Sequence, residues 1–326
     1  MNRLNKDKLV WMYETMVKIR AFENEISHHW PEQEMRSPPH MYAGREAMAT
    51  GVCAVLKPSD QVVGYYRGHG YYLAKGGDPK SFMSELYCKE TGSNEGKGGS
   101  MLISSPKVGY VGSSAIVAGG IPIATGLAFG NKFQGFKKVV VCFLGDAATE
   151  EGVFYESLNF AALKKLPIIY VCENDGYAVT THIKFRRANP ESITEHARAF
   201  GIPAYKIDGN DIEKVSEATK KAIVRATKGL GPTFIEGITY RWYLHVGDKL
   251  DSSTGLRTQK ELNFWMKRDP IKLFENKLIS RKVLTKDEIL LIKLKIDKLI
   301  SESFDFAKKS PLPLKSDLLT NVYAKN

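Results

Sequence analysis

Two aspartates stand where chemistry is commonly found in a chain of alternating strands and helices. Residues 138–144 (KVVVCFL) and 167–173 (PIIYVCE) are apolar almost throughout, and each run leads into an acidic residue among small ones. The first gives Gly145-Asp146-Ala147-Ala148, the second Glu173-Asn174-Asp175-Gly176-Tyr177. Asp146 and Asp175 are 29 residues apart, the length of one strand–helix–strand crossover. That spacing brings both carboxylates to one edge of neighbouring parallel strands, where ligands bind in open sheets. Oxygen ligands among small residues suit Mg²⁺ holding a phosphorylated group. The same residues also read as local structure: Asp146 as the cap of a helix starting near Glu150, Asp175 as part of an Asp-Gly turn.

A sheet has to carry these ends. Apolar residues at helical spacing from Leu9 to Ile26 predict a helix over 7–27. Three prolines mark 31–40 as a loop, and 44–56 is helix-like up to Pro58. The glycine-rich stretches 64–77 and 92–99 read as loops. Beyond residue 113 the pattern becomes regular. Helices are expected over 116–133, 150–165, 191–200 and 211–228, and strands over 138–144, 167–173, 204–207 and 233–240. Unbroken apolar strands alternating with helices imply a parallel sheet covered on both faces, and right-handed crossovers make it doubly wound. Residues 270–309 read as two further helices. The expected organisation is a single α/β domain over 1–326, with 270–326 a helical C-terminal extension.

Composition narrows the function classes. Of 326 residues, 43% are hydrophobic and 25% charged, the balance of an ordinary globular chain. No run of 18 apolar residues suggests a membrane span, and the charged, amphipathic start does not resemble a secretory signal. Cys53, Cys88, Cys142 and Cys172 are scattered without a Cys-x-x-Cys. They read as reduced thiols of a cytoplasmic protein, with neither a zinc site nor a disulfide framework. The net charge of +11 is concentrated in residues 257–326, where 16 Lys/Arg face 9 Asp/Glu. No aromatic-basic interleaving pattern accompanies these charges, so a solvated basic face or an acidic partner accounts for them better than nucleic acid.

Several ordered motifs together resemble the alpha subunit of the thiamine-diphosphate-dependent first component of 2-oxo acid dehydrogenase complexes, of pyruvate, branched-chain or acetoin type. The family's Gly-Asp-Gly, about 26 residues, Asn-Asn reads here Gly145-Asp146-Ala147 … Asn174-Asp175. Its His-Leu-Tyr-x-Gly-Gln-Glu-Ala reads His40-Met41-Tyr42-Ala43-Gly44-Arg45-Glu46-Ala47. Its Tyr-Arg-x-His-Gly is Tyr66-Arg67-Gly68-His69-Gly70, and its Gly-Lys-Gly-Gly-Ser-Met is Gly96-Lys97-Gly98-Gly99-Ser100-Met101. Tyr240-Arg241 … His245 and Trp265 … Arg268-Asp269-Pro270-Ile271 resemble its later segments. The likeness runs over nearly the whole chain and implies the thiamine-diphosphate-binding fold, in its diphosphate-binding form.

By position, the resemblance makes Asp146, Asp175 and the Tyr177 carbonyl the ligands of Mg²⁺, within the Gly145-Asp146-Ala147-Ala148 turn. It assigns the diphosphate to Tyr66, Arg67, Arg241 and His245, arginine being suited because its planar fork matches phosphate oxygens. It places the cofactor's aminopyrimidine edge on the main chain of Ala115 and Val117. His40 would face the substrate's carboxylate or carbonyl, and His245 would stabilise charge or move a proton between cofactor and substrate. Without the family, Arg67 and Arg241 read equally as surface charges, His40 as a loop-orienting residue, Tyr177 as packing and Ser113-Ser114-Ala115 as a helix cap. His69 reads as structural.

Departures from the pattern bear on chemistry. Asp175 replaces the second Asn of the motif and adds a negative charge beside two phosphates, worth roughly 4 kcal/mol at about 4 Å and an effective dielectric of 20. Ala147 is a minor change from glycine. Leu102, Tyr243 and Leu244 replace residues that are commonly His, His and Gly, so the substrate pocket differs. The loop 246–255 lacks the phosphorylatable Ser followed by Asp-Pro, and kinase control of that type is not expected. The pyrimidine-activating glutamate of the family lies on the beta subunit, so the resemblance implies a chain inactive alone and working in an alpha-2-beta-2 heterotetramer. A 2-oxo acid would be decarboxylated and its acyl group passed to a lipoyl acyltransferase. Two alternatives stand beside this: a related carboligase subunit of a specialised pathway, and a non-catalytic assembly subunit.

Overall fold

The computed structural model describes residues 5–320. Its strands are β1 (Gln61–Tyr65), β2 (Tyr110–Ser114), β3 (Val140–Gly145), β4 (Ile168–Asn174), β5 (Tyr177–Ala178), β6 (Thr181–His182), β7 (Ala204–Asp208) and β8 (Thr233–Ile238). Six of them form one parallel sheet in the order β2-β1-β3-β4-β8-β7, while β5 and β6 form a small antiparallel hairpin. This is the doubly wound α/β fold expected from the sequence.

The unbroken apolar runs of β3 and β4 follow from burial on both faces. Side chains alternate across a strand, and here successive residues enter two different cores. Val141, Phe143, Ile169 and Val171 join one core with the helices Lys6–His29, Glu46–Cys53 and Ile212–Thr227. Val140, Cys142, Leu144, Ile168, Tyr170 and Cys172 join the other, with Gly120–Phe133, Gly152–Leu163 and Ile193–Ala199.

The two C-terminal helices are Pro270–Ser280 and Lys286–Lys309. Asp269 caps the first, accepting from Ile271 N at 3.0 Å, and a Thr285/Glu288 capping box starts the second. Their apolar faces, including Phe274, Leu278, Ile292, Ile296 and Phe304, share the first core with the helix Lys6–His29. The final six positions of the anticipated extension, 321–326, and the first four residues of the chain lie outside the described residues.

Several expectations are corrected. The stretch 64–77 is not a loop: it holds the end of β1 and the helix His69–Lys75. Its glycines make room for rings. An added Cβ at Gly70 would lie 2.3 Å from the Tyr42 ring, and one at Gly68 would lie 2.6 Å from the Tyr110 hydroxyl. The anticipated helix 116–133 begins only at Gly120, because Ala118 takes a left-handed φ of 61°. The edge strand β2 and the helix Gln259–Lys267 were not anticipated from the sequence.

β1 and β3 lie side by side, yet from β1 the chain moves outward to β2 and from β3 it moves the other way to β4. The carboxyl ends of β1 and β3 therefore flank the topological switch point of the sheet, the expected place for a ligand crevice.

Candidate active site

A cavity of about 330 Å³ opens at that switch point. Tyr66 and Arg67 follow β1, and Gly145, Asp146, Ala147 and Ala148 follow β3. Asp175 and Tyr177 follow β4, where Gly145 pairs in register with Glu173. Ala115 and Val117 form one wall, and Arg241 and His245 come from the segment after β8. His40 reaches the cavity from the loop ahead of the helix Glu46–Cys53. Every residue nominated from the sequence thus lines one cavity. An added Cβ at Gly145 would meet nothing within 4 Å, so open space lies directly over that backbone.

The local readings of the two aspartates resolve differently. The Asp146 side chain caps no helix: the helix Gly152–Leu163 has Glu151 at its N-cap with no side-chain bond. Its Oδ2 instead accepts from Arg186 Nη2 at 2.5 Å. Asp175 does form a turn, with Oδ1 accepting from Tyr177 N at 3.1 Å. Its Oδ2 accepts from Arg45, with Arg257 Nη2 at 3.7 Å and Arg241 Nε at 3.9 Å.

Burial and the charge of Asp175 push the Asp146 carboxyl above its ordinary range, against Arg186. Burial also opposes ionisation of Asp175, but Arg45, Arg257, Arg241 and Arg67 outweigh it and hold that carboxyl low. The added negative charge anticipated from the sequence is therefore embedded among cations.

Arg241 and Arg257 share a second acid. Asp251 lies 3.4 Å from Arg241 Nη2 and 2.7 Å from Arg257 Nη1. Arg257 also covers the Tyr177 ring at 3.8 Å. Arg67 differs: it donates to the carbonyls of Met41 at 2.8 Å and His245 at 3.2 Å, and no carboxylate pairs with it among the described residues. Arg20 stacks on the Trp242 ring at 3.6 Å and bonds Glu46 at 2.6 Å, anchoring the segment that carries Arg241 and His245.

His40 and His245 face each other with ring centroids 5.5 Å apart, and the Tyr66 ring lies 5.2 Å from the first and 5.4 Å from the second. Burial, and then the Arg67 charge, lowers each imidazole to about 3. Both rings are neutral at physiological pH, able to accept a proton or donate one N–H. His69 lies outside the cavity, wholly buried, with Nδ1 2.7 Å from Glu23 and Nε2 2.8 Å from Ser100 Oγ. Ser100 Oγ in turn accepts from His40 N at 2.9 Å, so this network holds the His40 loop.

Sequence reasoning missed Arg45, Arg186, Arg257 and Asp251. One signal was available: Arg45 occupies the Gln position of the Gly-Gln-Glu motif. The other three sit in segments without a motif, and only folding brings them to the strand ends.

A doubly wound sheet with paired acids and clustered arginines at its switch point defines an α/β protein whose carboxyl edge has the position and the charges that suit a phosphorylated ligand. Residues 14–315 match the dehydrogenase E1 component family. The alpha subunit of acetoin:2,6-dichlorophenolindophenol oxidoreductase from Bacillus subtilis (strain 168) is 38% identical over 320 residues, covering 98% of this chain and 95% of its own. The pyruvate dehydrogenase E1 component subunit alpha of Porphyra purpurea is 38% identical over 330 residues, covering 99% of this chain and 95% of its own. The chloroplastic pyruvate dehydrogenase E1 component subunit alpha-3 of Arabidopsis thaliana is 39% identical over 328 residues, covering 98% and 76%. The chain belongs to the dehydrogenase E1 component family, as an alpha-type subunit. That membership bears out the resemblance read from the motifs: a thiamine-diphosphate-dependent oxidoreductase subunit of 2-oxo acid dehydrogenase type, working with a beta subunit.

Proposed function

We propose that the switch-point cavity holds thiamine diphosphate with Mg²⁺, and that the chain acts with its beta subunit as an alpha-2-beta-2 heterotetramer. In that assembly a 2-oxo acid is decarboxylated and its acyl group passes to the lipoyl carrier of an acyltransferase. The observation that carries this reading is the convergence of Asp146, Asp175, Arg67 and Arg241 on one cavity.

The donor set fits the cofactor. Arg241 Nε is buried without a hydrogen-bond partner among the described residues, and Arg67 has no acid of its own. Both suit an anionic diphosphate, together with His245 and the Tyr66 hydroxyl. Asp146, Asp175 and the Tyr177 carbonyl offer hard oxygen ligands of the kind Mg²⁺ takes. A dication beside Asp146 would favour its ionised form, reversing the effect of burial. The main chain at Ala115 and Val117 would hold the aminopyrimidine.

When bound, thiamine diphosphate supplies the electron sink on which loss of carbon dioxide depends. The chain's own part is orientation and proton placement. His40 and His245 stay unprotonated because burial and Arg67 disfavour the imidazolium. An anionic substrate or diphosphate beside them would ease that penalty and let either ring take a proton during turnover. The unpaired cysteines Cys53, Cys88, Cys142 and Cys172 support a reducing, cytoplasmic setting.

The test is calorimetric titration of thiamine diphosphate with Mg²⁺ into the chain co-expressed with its beta subunit. Metal-dependent binding that disappears in Asp146→Ala is expected. Absence of binding by the unmodified complex would refute the reading.

A further inference from the structure

Two departures from the family's motifs meet in space. Arg45 stands where the motif has Gln, and Asp175 where it has Asn. They are 130 residues apart in sequence, yet Arg45 Nη2 donates to Asp175 Oδ2. The side chains are 5% and 3% exposed, so this is a buried ion pair. Arg45 Nη1 also donates to the Tyr65 hydroxyl at 2.6 Å, which fixes the guanidinium at the cavity wall.

The other cations near Asp175 are shared. Arg241 and Arg257 both pair with Asp251 as well, and both stand 3.7 Å or more from Asp175. Arg45 makes the direct contact with Asp175 and none with Asp251. It lies 3.7 Å from Glu173, but that carboxyl already accepts from the hydroxyls of Tyr42, Tyr65 and Tyr71.

We propose that Arg45 is a positioning residue, the dedicated counter-ion that permits a carboxylate at position 175 inside a cavity meant for a diphosphate. The pair acts as one electrostatic unit. Adding both charges together leaves the net charge of the cavity unchanged, whereas Asp175 alone would have only the two more distant arginines it shares with Asp251, and Arg45 alone would keep Glu173 as its only acid within 4 Å among the described residues. In the unit, Arg45 fixes Oδ2 and leaves Oδ1 turned toward the Tyr177 segment. The inference rests on the thiamine-diphosphate reading of the cavity.

The experiment compares the parent complex with Arg45→Gln, Asp175→Asn and the double variant, each co-expressed with the beta subunit. Thiamine diphosphate binding with Mg²⁺ is followed by calorimetry, and unfolding midpoints are recorded without cofactor. Arg45→Gln is expected to bind about 100-fold more weakly, since Asp175 then draws on Arg241 and Arg257, the cations otherwise open to the phosphates. Adding Asp175→Asn to it is expected to restore affinity to within about 10-fold of the parent. Each single variant is expected to unfold at a lower temperature than the double. A double variant no better than Arg45→Gln, or an Arg45→Gln that behaves as the parent, would overturn the proposal. If the parent binds no thiamine diphosphate, the reading of the cavity falls, and the midpoints alone decide the pair: rescue in the double variant supports it and additive losses overturn it.

Discussion

Gly70→Ala probes how the tyrosines beneath the cavity are packed. A methyl at position 70 would lie 2.3 Å from Tyr42 Cε1, 2.4 Å from Cδ1 and 2.9 Å from Cγ. Carbon atoms prefer about 3.5–4.0 Å, so the ring or the helix His69–Lys75 must retreat by more than about 1 Å. Tyr42 has nowhere to go: it is fully buried, its ring is edge-on to Tyr71 at 5.2 Å, and its hydroxyl donates to Glu173. Overpacking of this kind costs about 1–3 kcal/mol. Pulling Tyr42 from a carboxylate costs about 1.5–3 kcal/mol more, and the better helix propensity of alanine returns less than about 1 kcal/mol. The net loss is about 2–5 kcal/mol. Unfolding entropy near 2.1 cal/mol/K per residue, over 326 residues, gives roughly 0.7 kcal/mol/K. The midpoint should therefore fall by about 3–7 °C in a thermal melt followed by circular dichroism. Gly126→Ala is the control. It lies inside the helix Gly120–Phe133 with nothing within 4 Å of an added Cβ, and it should hold or slightly raise the midpoint of the isolated chain. A Gly70→Ala midpoint within about 1 °C of the parent would refute the packing argument.

Arg257→Met removes a buried charge shared by Asp175 and Asp251 and should cost about 3–5 kcal/mol, read as a lower midpoint in urea titration. No loss would mean Arg241 and Arg45 suffice for both acids. Arg67→Met should weaken thiamine diphosphate binding and cost about 1–3 kcal/mol of stability for each of the two carbonyls it leaves unpaired; a stability loss with unchanged affinity would remove Arg67 from the diphosphate. For His40 and His245 the folded value, about 3, lies below the ordinary value near 6.5, so between those pH values the unfolded chain binds more protons. Their contribution to stability is complete above pH 6.5 and is lost as pH falls toward 3. The double variant His40→Gln/His245→Gln should flatten that decline in urea titrations run across the window, and an unchanged slope would contradict the burial argument.

The parts of the fold legible in the sequence are those where one force dominates. β3 and β4 are buried on both faces, which makes their sequences apolar from end to end, and the acids that close them mark the carboxyl edge directly. β2 was missed because Tyr110–Ser114 is short, half polar and at the sheet edge, where one neighbour and partial burial satisfy it. The glycines of 64–77 misled in the opposite direction. Glycine serves both turns and close approach, and only the positions of Tyr42 and Tyr110 reveal that several here serve the second purpose.

The site was legible in its acids and only partly in its cations, for a physical reason. An acid at a strand end is placed by local geometry, since strand direction and burial decide where it points. A long basic side chain is placed by its partner, and the partner is remote in sequence. Arg186 reaches Asp146 from the segment after the β5–β6 hairpin, and Arg257 reaches Asp175 and Asp251 from the loop ahead of the helix Gln259–Lys267. Charge balance in the cavity is therefore a property of the fold. Asp175 in isolation looks like a burden beside two phosphates, but in the fold Arg45 matches it, Arg241 and Arg257 divide Asp251 between them, and among the described residues Arg67 pairs with no acid. A cavity so arranged retains uncommitted positive charge where an anion would enter, even though one more carboxylate has been built into its wall.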